Sequence, residues 1–162
     1  MRKLILVLSL FYISCLYALS SATVIHAGLL INGESSFPSP EMSIVIKGSK
    51  IEAIETGFIT PDSEDEFIDL SGYTVLPGLI DMHVHLGSEY SKNSYQERIT
   101  LNAGDYAIRA VANAQKTLMA GFTTVRNLGG SDGVTISLRN AITKGIVTGP
   151  RIFSSGTTIA SS

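Results

Sequence analysis

The stretch "VLPGLIDMHVHLG", Val75 to Gly87, holds two of the chain's three histidines, His83 and His85, one residue apart. Side chains on a strand alternate faces with a period of two, so a strand here turns both imidazoles, and Asp81 before them, to one side. Met82, Val84 and Leu86 would point the other way, into apolar packing. Two imidazoles side by side can grip one metal ion, and imidazole suits Zn²⁺ and its first-row neighbours. A bare H-x-H also arises by chance on half-exposed strands. Set inside "PGLIDMHVHLG", the pair is far more specific.

Other residues are weaker candidates. Arg126 could hold a substrate carboxylate, since the guanidinium fork matches a carboxylate, and it could equally make a structural ion pair. Tyr90 and Tyr95 fall in the loop after the histidine strand, where side chains shape pockets, although a packed or solvent-facing tyrosine is the default. His26 reads as a surface histidine on a strand. Gly129-Gly130 lack a surrounding G-x-G-x-x-G, and Ser154-Ser155 have no nearby histidine to activate a hydroxyl.

The elements that must position these groups fall into two rhythms. From Thr23 to Val75 the chain reads as short strands: "TVIHAGLLI", a hairpin in "MSIVIKGSKIEAIE" turning at Gly48-Ser49, and the short strands "FIDL" and "YTVL". The acidic "FITPDSEDEF" reads as a solvated connection. After Val75, "GLIDMHVHL" has the continuous apolar character of a buried parallel strand. Ala107, Ala110, Val111, Ala114 and Leu118 follow at helical spacing within Asn102 to Ala120, with Gly121 as the stop. "FTTVRNL" is a second strand. A second helix carries Val134, Leu138, Ala141 and Ile142 on one face and closes at Gly145, and "RIFSSG" is a third strand. Strand, helix, strand, helix, strand at this spacing implies βα units on a parallel sheet.

Composition narrows the class. The 162 residues carry 12 basic and 14 acidic side chains, with no basic block suggesting nucleic acid. The opening "MRKLILVLSLFYISCLYALSSA" has a positive start, an apolar run and small residues, the pattern of a secretory signal peptide. The run is about 15 residues, short of the roughly 20 a bilayer span needs, so cleavage is expected to leave no stable membrane span. Cleavage after Ser20 or Ala22 fits the small-residue rule; acylation at Cys15, or an uncleaved anchor, are the alternatives. Removal of residues 1–22 leaves 10 basic residues against 14 acidic ones and no cysteine, so no disulfide can form. The expected location is periplasmic or extracellular.

"DLSGYTVLPGLIDMHVHL" resembles the junction between the small β-sandwich and the barrel of the amidohydrolase superfamily. "AGFTTVRNLGG" and "GPRIFSSG" resemble the second and third barrel strands of its imidazolonepropionase-like and prolidase-like branch. The resemblance covers nearly all of Thr23 to Ser162. It implies an α/β fold: a signal peptide over 1–22, part of a small β-sandwich over 23–75, and about three βα units of a (β/α)8 hydrolase barrel over 76–162. It implies that His83 and His85 ligate the more buried metal, one or two Zn²⁺ or another divalent ion, with Asp81 as a supporting residue. Many relatives read "VRDLGG" where this chain has Asn127, an exchange expected to alter the floor or rim of the site. Arg126 and Asn127 are thereby the substrate-side candidates.

By the same resemblance the activity is metal-assisted hydrolysis of amide C–N bonds in small substrates, dipeptides first. Cyclic-amide hydrolysis, deacetylation and a non-catalytic exported remnant are the alternatives, and a homo-oligomer is compatible with any of them. In relatives a carboxylated lysine or acidic residue, two later histidines and a last-strand aspartate complete the site. These are expected beyond Ser162, in a longer reading frame, and the 162 residues alone are expected to be inactive, since zinc typically takes three or more protein ligands when catalytic.

Overall fold

The computed structural model describes residues 21–130 and 132–158, so the signal-peptide reading of 1–22 lies almost wholly outside the described residues. The chain divides into two compact units between Leu76 and Pro77.

In the first unit, β1 (Thr23–Leu30), β2 (Ser39–Lys47), β3 (Lys50–Thr56) and β4 (Glu66–Val75) form one sheet ordered β3-β2-β1-β4. The β2–β3 hairpin turns at Gly48-Ser49, as its sequence implies. β1 is antiparallel to β2 and parallel to β4. Alternation along these strands buries Ala27, Leu30 and Ile44 together, with Ile25, Met42, Ile46 and Val75 packed against them.

"FIDL" and "YTVL" prove to be one ten-residue strand rather than two. Its register against β1 jumps from Ala27↔Leu70 to Leu29↔Thr74, so a bulge of Ser71, Gly72 and Tyr73 faces Gly28 alone. The bulge brings backbone so close that a Cβ on Gly28 would overlap the Ser71 carbonyl. A turn-like "SG" in mid-strand therefore marks a bulge, not a chain reversal.

His26 is half-buried, not a surface residue. It stacks on Phe58 with ring centroids 4.6 Å apart, meets Phe67 edge-on at 4.7 Å, and donates from Nε2 to the Ile59 carbonyl at 2.8 Å. Beside it, the buried Ser43 hydroxyl donates to Gly57 O (2.7 Å) and accepts from Ile59 N (3.0 Å). Both side chains tie down the acidic connection, which satisfies its backbone groups without a strand of its own.

In the second unit, β5 (Leu79–Val84), β6 (Phe122–Asn127) and β7 (Arg151–Ser154) form a parallel sheet in chain order. Between them run α1 (Ser94–Thr100), α2 (Ala103–Met119) and α3 (Val134–Thr143). Asn102 starts α2 with a capping box: its Oδ1 accepts from Gly104 N (2.7 Å) and Asp105 N (3.4 Å), and Asp105 Oδ2 accepts from Asn102 N (2.9 Å). Gly121, at φ +93°, lets the chain leave α2 directly into β6. The small Ala110 and Ala114, both fully buried, let α2 approach the sheet closely. They join Leu86, Val125, Val134, Leu138 and Ile152 in one core. This packed helix-on-sheet layer fixes where the strand ends lie, and the candidate site is built there. The short α1 has no side-chain cap and buries no residue, which is why apolar periodicity gave no sign of it.

Among the described residues no helix is long and apolar enough to cross a membrane.

Candidate metal centre

β5 ends at Val84, and the chain beyond it is held on both sides. Asn127, the last residue of β6, is fully buried; its Oδ1 accepts from Leu86 N at 2.8 Å and its Nδ2 donates to Gly129 O at 2.8 Å. Asn113 of α2 donates to Leu86 O at 2.9 Å. With Leu86 clamped through both backbone groups and its side chain in the core, the neighbouring His85 has little freedom.

The two imidazoles converge. His83 Nε2 and His85 Nε2 are 3.3 Å apart, with ring centroids at 5.3 Å and planes 63° apart. Two nitrogens each about 2.0–2.1 Å from one tetrahedral zinc would be roughly 3.3–3.4 Å apart, so the separation suits a shared metal. His85 Nδ1 faces Gly129 O at 3.4 Å, a long contact in which the carbonyl can only accept. A proton on Nδ1 leaves Nε2 with its lone pair free, the tautomer a metal requires. Among the described residues no third His, Cys, Asp or Glu joins the pair, so the donor set fits part of a zinc site and no more.

Asp81 departs from strict alternation. It registers with Val125, while Val84 registers with Asn127, so β5 takes three steps where β6 takes two. The irregularity turns Asp81 and Val84 to the side of the sheet shared by buried Val125 and Asn127. There Asp81 Oδ1 accepts from the backbone N–H of His83 at 2.9 Å; its contact is with the histidine's main chain, not its ring.

Arg126 and Asn127, adjacent on β6, point to opposite faces. Arg126 Nε donates to Met82 O at 2.8 Å, and the side chain lines a cleft of about 510 Å³ with Arg139 and Phe153 that His85 does not line. Asn127 is a buried brace under the site rather than a group on its rim. An amide there closes a donor and an acceptor at once, which an ionised aspartate cannot do. Replacing Asn127 with leucine, similar in size, is expected to cost about 1–3 kcal/mol by stranding the Leu86 N–H. A lowered urea midpoint at unchanged slope would register it.

Three cavities open at His85; one of about 340 Å³ runs along α2, lined by Asp81, Glu89, Asn113 and Lys116, and the other two adjoin each other. Of these two, one, of about 330 Å³, is lined by His85, Ser88, Arg98, Tyr106 and the Gly129-Gly130 backbone. The other, of about 380 Å³, shares His85, Ser88, Arg98 and Tyr106 and adds Glu89, Glu97 and Arg109. Tyr90 lines only the second and is fully exposed; Tyr95 lines neither. Arg98 and Tyr106 escaped the sequence reading. Tyr106 sits in an ordinary helical pattern, and Arg98 belongs to the helix the pattern did not reveal. Glu97 takes Arg109 at 2.7 Å, and this hydrogen-bonded carboxylate raises the guanidinium above its ordinary pKa.

Residues 74–162 match the Amidohydrolase family. Ochratoxinase from Aspergillus niger is 26% identical over 147 residues, 87% of this chain and 29% of that protein. A dihydroorotase from Syntrophus aciditrophicus is 31% identical over 67 residues, 41% of this chain and 15% of that protein. Among solved structures, a Xaa-Pro dipeptidase with bound methionine in the active site superposes with a TM-score of 0.81 at 49% identity, over 86% of this chain and 34% of that one. A prolidase complexed with N-methylphosphonate-L-proline gives 0.71 at 34% identity, over 84% and 32%. The chain thus spans about a third of the length of ochratoxinase and of the Xaa-Pro dipeptidase.

Proposed function

This chain belongs to the amidohydrolase family, and from that premise we propose that the protein carrying it is an exported, zinc-dependent hydrolase of amide C–N bonds in small substrates, dipeptides first. The superfamily is generally metal-dependent. The observation that carries the zinc reading is the 3.3 Å approach of His83 Nε2 and His85 Nε2 at the end of β5. The dipeptide reading is supported by the 49% identity to the Xaa-Pro dipeptidase structure.

His83 and His85 would hold the ion. A bound zinc would supply a water acidified towards neutral pH and a polarised scissile carbonyl. The chain's own residues do the positioning. Gly129 O retains the Nδ1 proton of His85, Asn127 holds that carbonyl and the Leu86 backbone, and Asp81 braces the His83 main chain. The adjoining cavities leave room for a small amide beside His85. Export is supported by the N-terminal charge, apolar run and small residues.

The test is the protein expressed from its complete reading frame, analysed for metal and assayed on dipeptides, cyclic amides and N-acetylated amino acids. The expected result is bound zinc, dipeptide hydrolysis abolished by a chelator and restored by Zn²⁺, and a secreted chain about twenty residues short by intact mass. Chelator-resistant hydrolysis would overturn the zinc reading. Preference for cyclic or acetylated substrates would replace the dipeptide assignment. A full-length secreted mass would overturn cleavage.

A further inference from the structure

We propose that Arg98 is the anchor for a substrate carboxylate, so that the preferred substrates are small amides with a free carboxylate near the scissile bond. This rests on the hydrolase reading above and adds a specificity residue to it.

Arg98 lines two of the three cavities that open at His85. In the one of about 330 Å³, it is the one lining side chain among the described residues that carries a fixed charge; its neighbours there are glycines, hydroxyl-bearing side chains, a valine and the imidazole. That cavity therefore favours an anion. Two other cations lie near His85: Lys116 lines only the third cavity, alongside the carboxylates of Asp81 and Glu89, and Arg109 is engaged. Arg109 binds Glu97 at 2.7 Å and lies over the Tyr106 ring, 5.8 Å from its centroid. Among the described residues the ion pairs are Lys47–Glu52 and Arg109–Glu97, and Arg98 is in neither.

The Glu97 pair also explains why Arg98 is held where it is. Glu97 precedes Arg98 on α1, and it is tied to α2 through Arg109 and, at its carbonyl, through the Tyr106 hydroxyl at 3.4 Å. Ser91 Oγ donates to the Glu97 carboxylate at 3.3 Å, drawing in the preceding loop. The short helix is thus fastened to the longer one, and the next side chain along it faces the cleft. A guanidinium so placed can take both oxygens of a carboxylate in a planar fork. Anchoring the substrate away from the reacting carbonyl orients that carbonyl over the histidine pair, and remote binding energy is thereby used for positioning. Arg126, the other arginine near the strand ends, is held by Met82 O and lines a cleft that His85 does not share.

The experiment compares a hydrolysed dipeptide with its C-terminal amide, using the protein from its complete reading frame. The readout is the acid-to-amide ratio of kcat/KM. Wild type is expected to favour the acid, and Arg98→Ala to collapse the ratio roughly 10- to 100-fold through a raised KM for the acid, the scale of a lost hydrogen bond to a charged group. Arg98→Lys keeps the charge without the fork and is expected to fall between. A general loss of folding would lower both substrates alike and leave the ratio standing. Hydrolysis with an unchanged ratio in Arg98→Ala overturns the anchor alone. Wild type that hydrolyses neither the acid nor the amide form of any dipeptide overturns the hydrolase reading and the anchor with it.

Discussion

On the proposed zinc-hydrolase reading, replacing His85 with alanine is expected to remove both zinc and activity from the protein that carries this chain. The imidazole is exposed at the cleft and contributes nothing to the core, so the fold should survive its loss; unfolding midpoint and circular dichroism should stay near wild type. Its Nε2, however, is half of the 3.3 Å pair, and no other side chain among the described residues stands ready to replace it. Loss of a supporting partner typically costs about 10–100-fold in metal affinity or activity, and loss of a ligand should exceed that. His83→Ala is expected to behave alike. The checks are zinc content after dialysis and kcat/KM on the best dipeptide, with added Zn²⁺ restoring little. Full activity and full zinc in His85→Ala would show that the pair is not the metal grip.

Gly28→Ala should act on the other unit and through folding alone. The added methyl would overlap the Ser71 carbonyl, and the opposing atoms are backbone on a paired strand, which cannot swing aside as a side chain can. Relief requires the β1–β4 register to open at the bulge. Overpacking of this kind usually costs about 1–3 kcal/mol, and a backbone collision belongs at or above the top of that range. Equilibrium denaturation would measure it, and hydrogen exchange should show the loss centred on β1 and β4. A Gly28→Ala protein as stable as wild type would mean that the close approach at the bulge is not held.

The sequence alone determined a good deal. Its short β-rich and apolar runs marked the strands, the period-3.6 alanines marked α2, and the change of rhythm near Val75 marked the boundary between strand-rich and βα-rich chain. It singled out His83 and His85 because side chains at i and i+2 along extended chain turn to one side. These are local regularities, carried by spacing that survives without knowledge of neighbours.

What only the tertiary structure decided depends on groups far apart in the chain. The irregularity in β5 that turns Asp81 towards the Val125 and Asn127 side exists only against the register of β6. The merging of two short apolar runs into β4 depends on pairing with β1 more than forty residues earlier. Asn127 read as a lost charge at the floor or rim of the site. It is a buried brace because its amide meets Leu86, 41 residues away, and Gly129 in opposite hydrogen-bonding senses. Arg98 had no signal of its own, since a lone arginine on a short, unburied helix carries no periodicity. Its availability follows from Glu97 having taken Arg109 instead. Spacing along the chain can show which side chains could share a strand face. Which charges remain unpaired, and which polar groups close each other's hydrogen bonds, is settled only when distant segments come within about 3 Å.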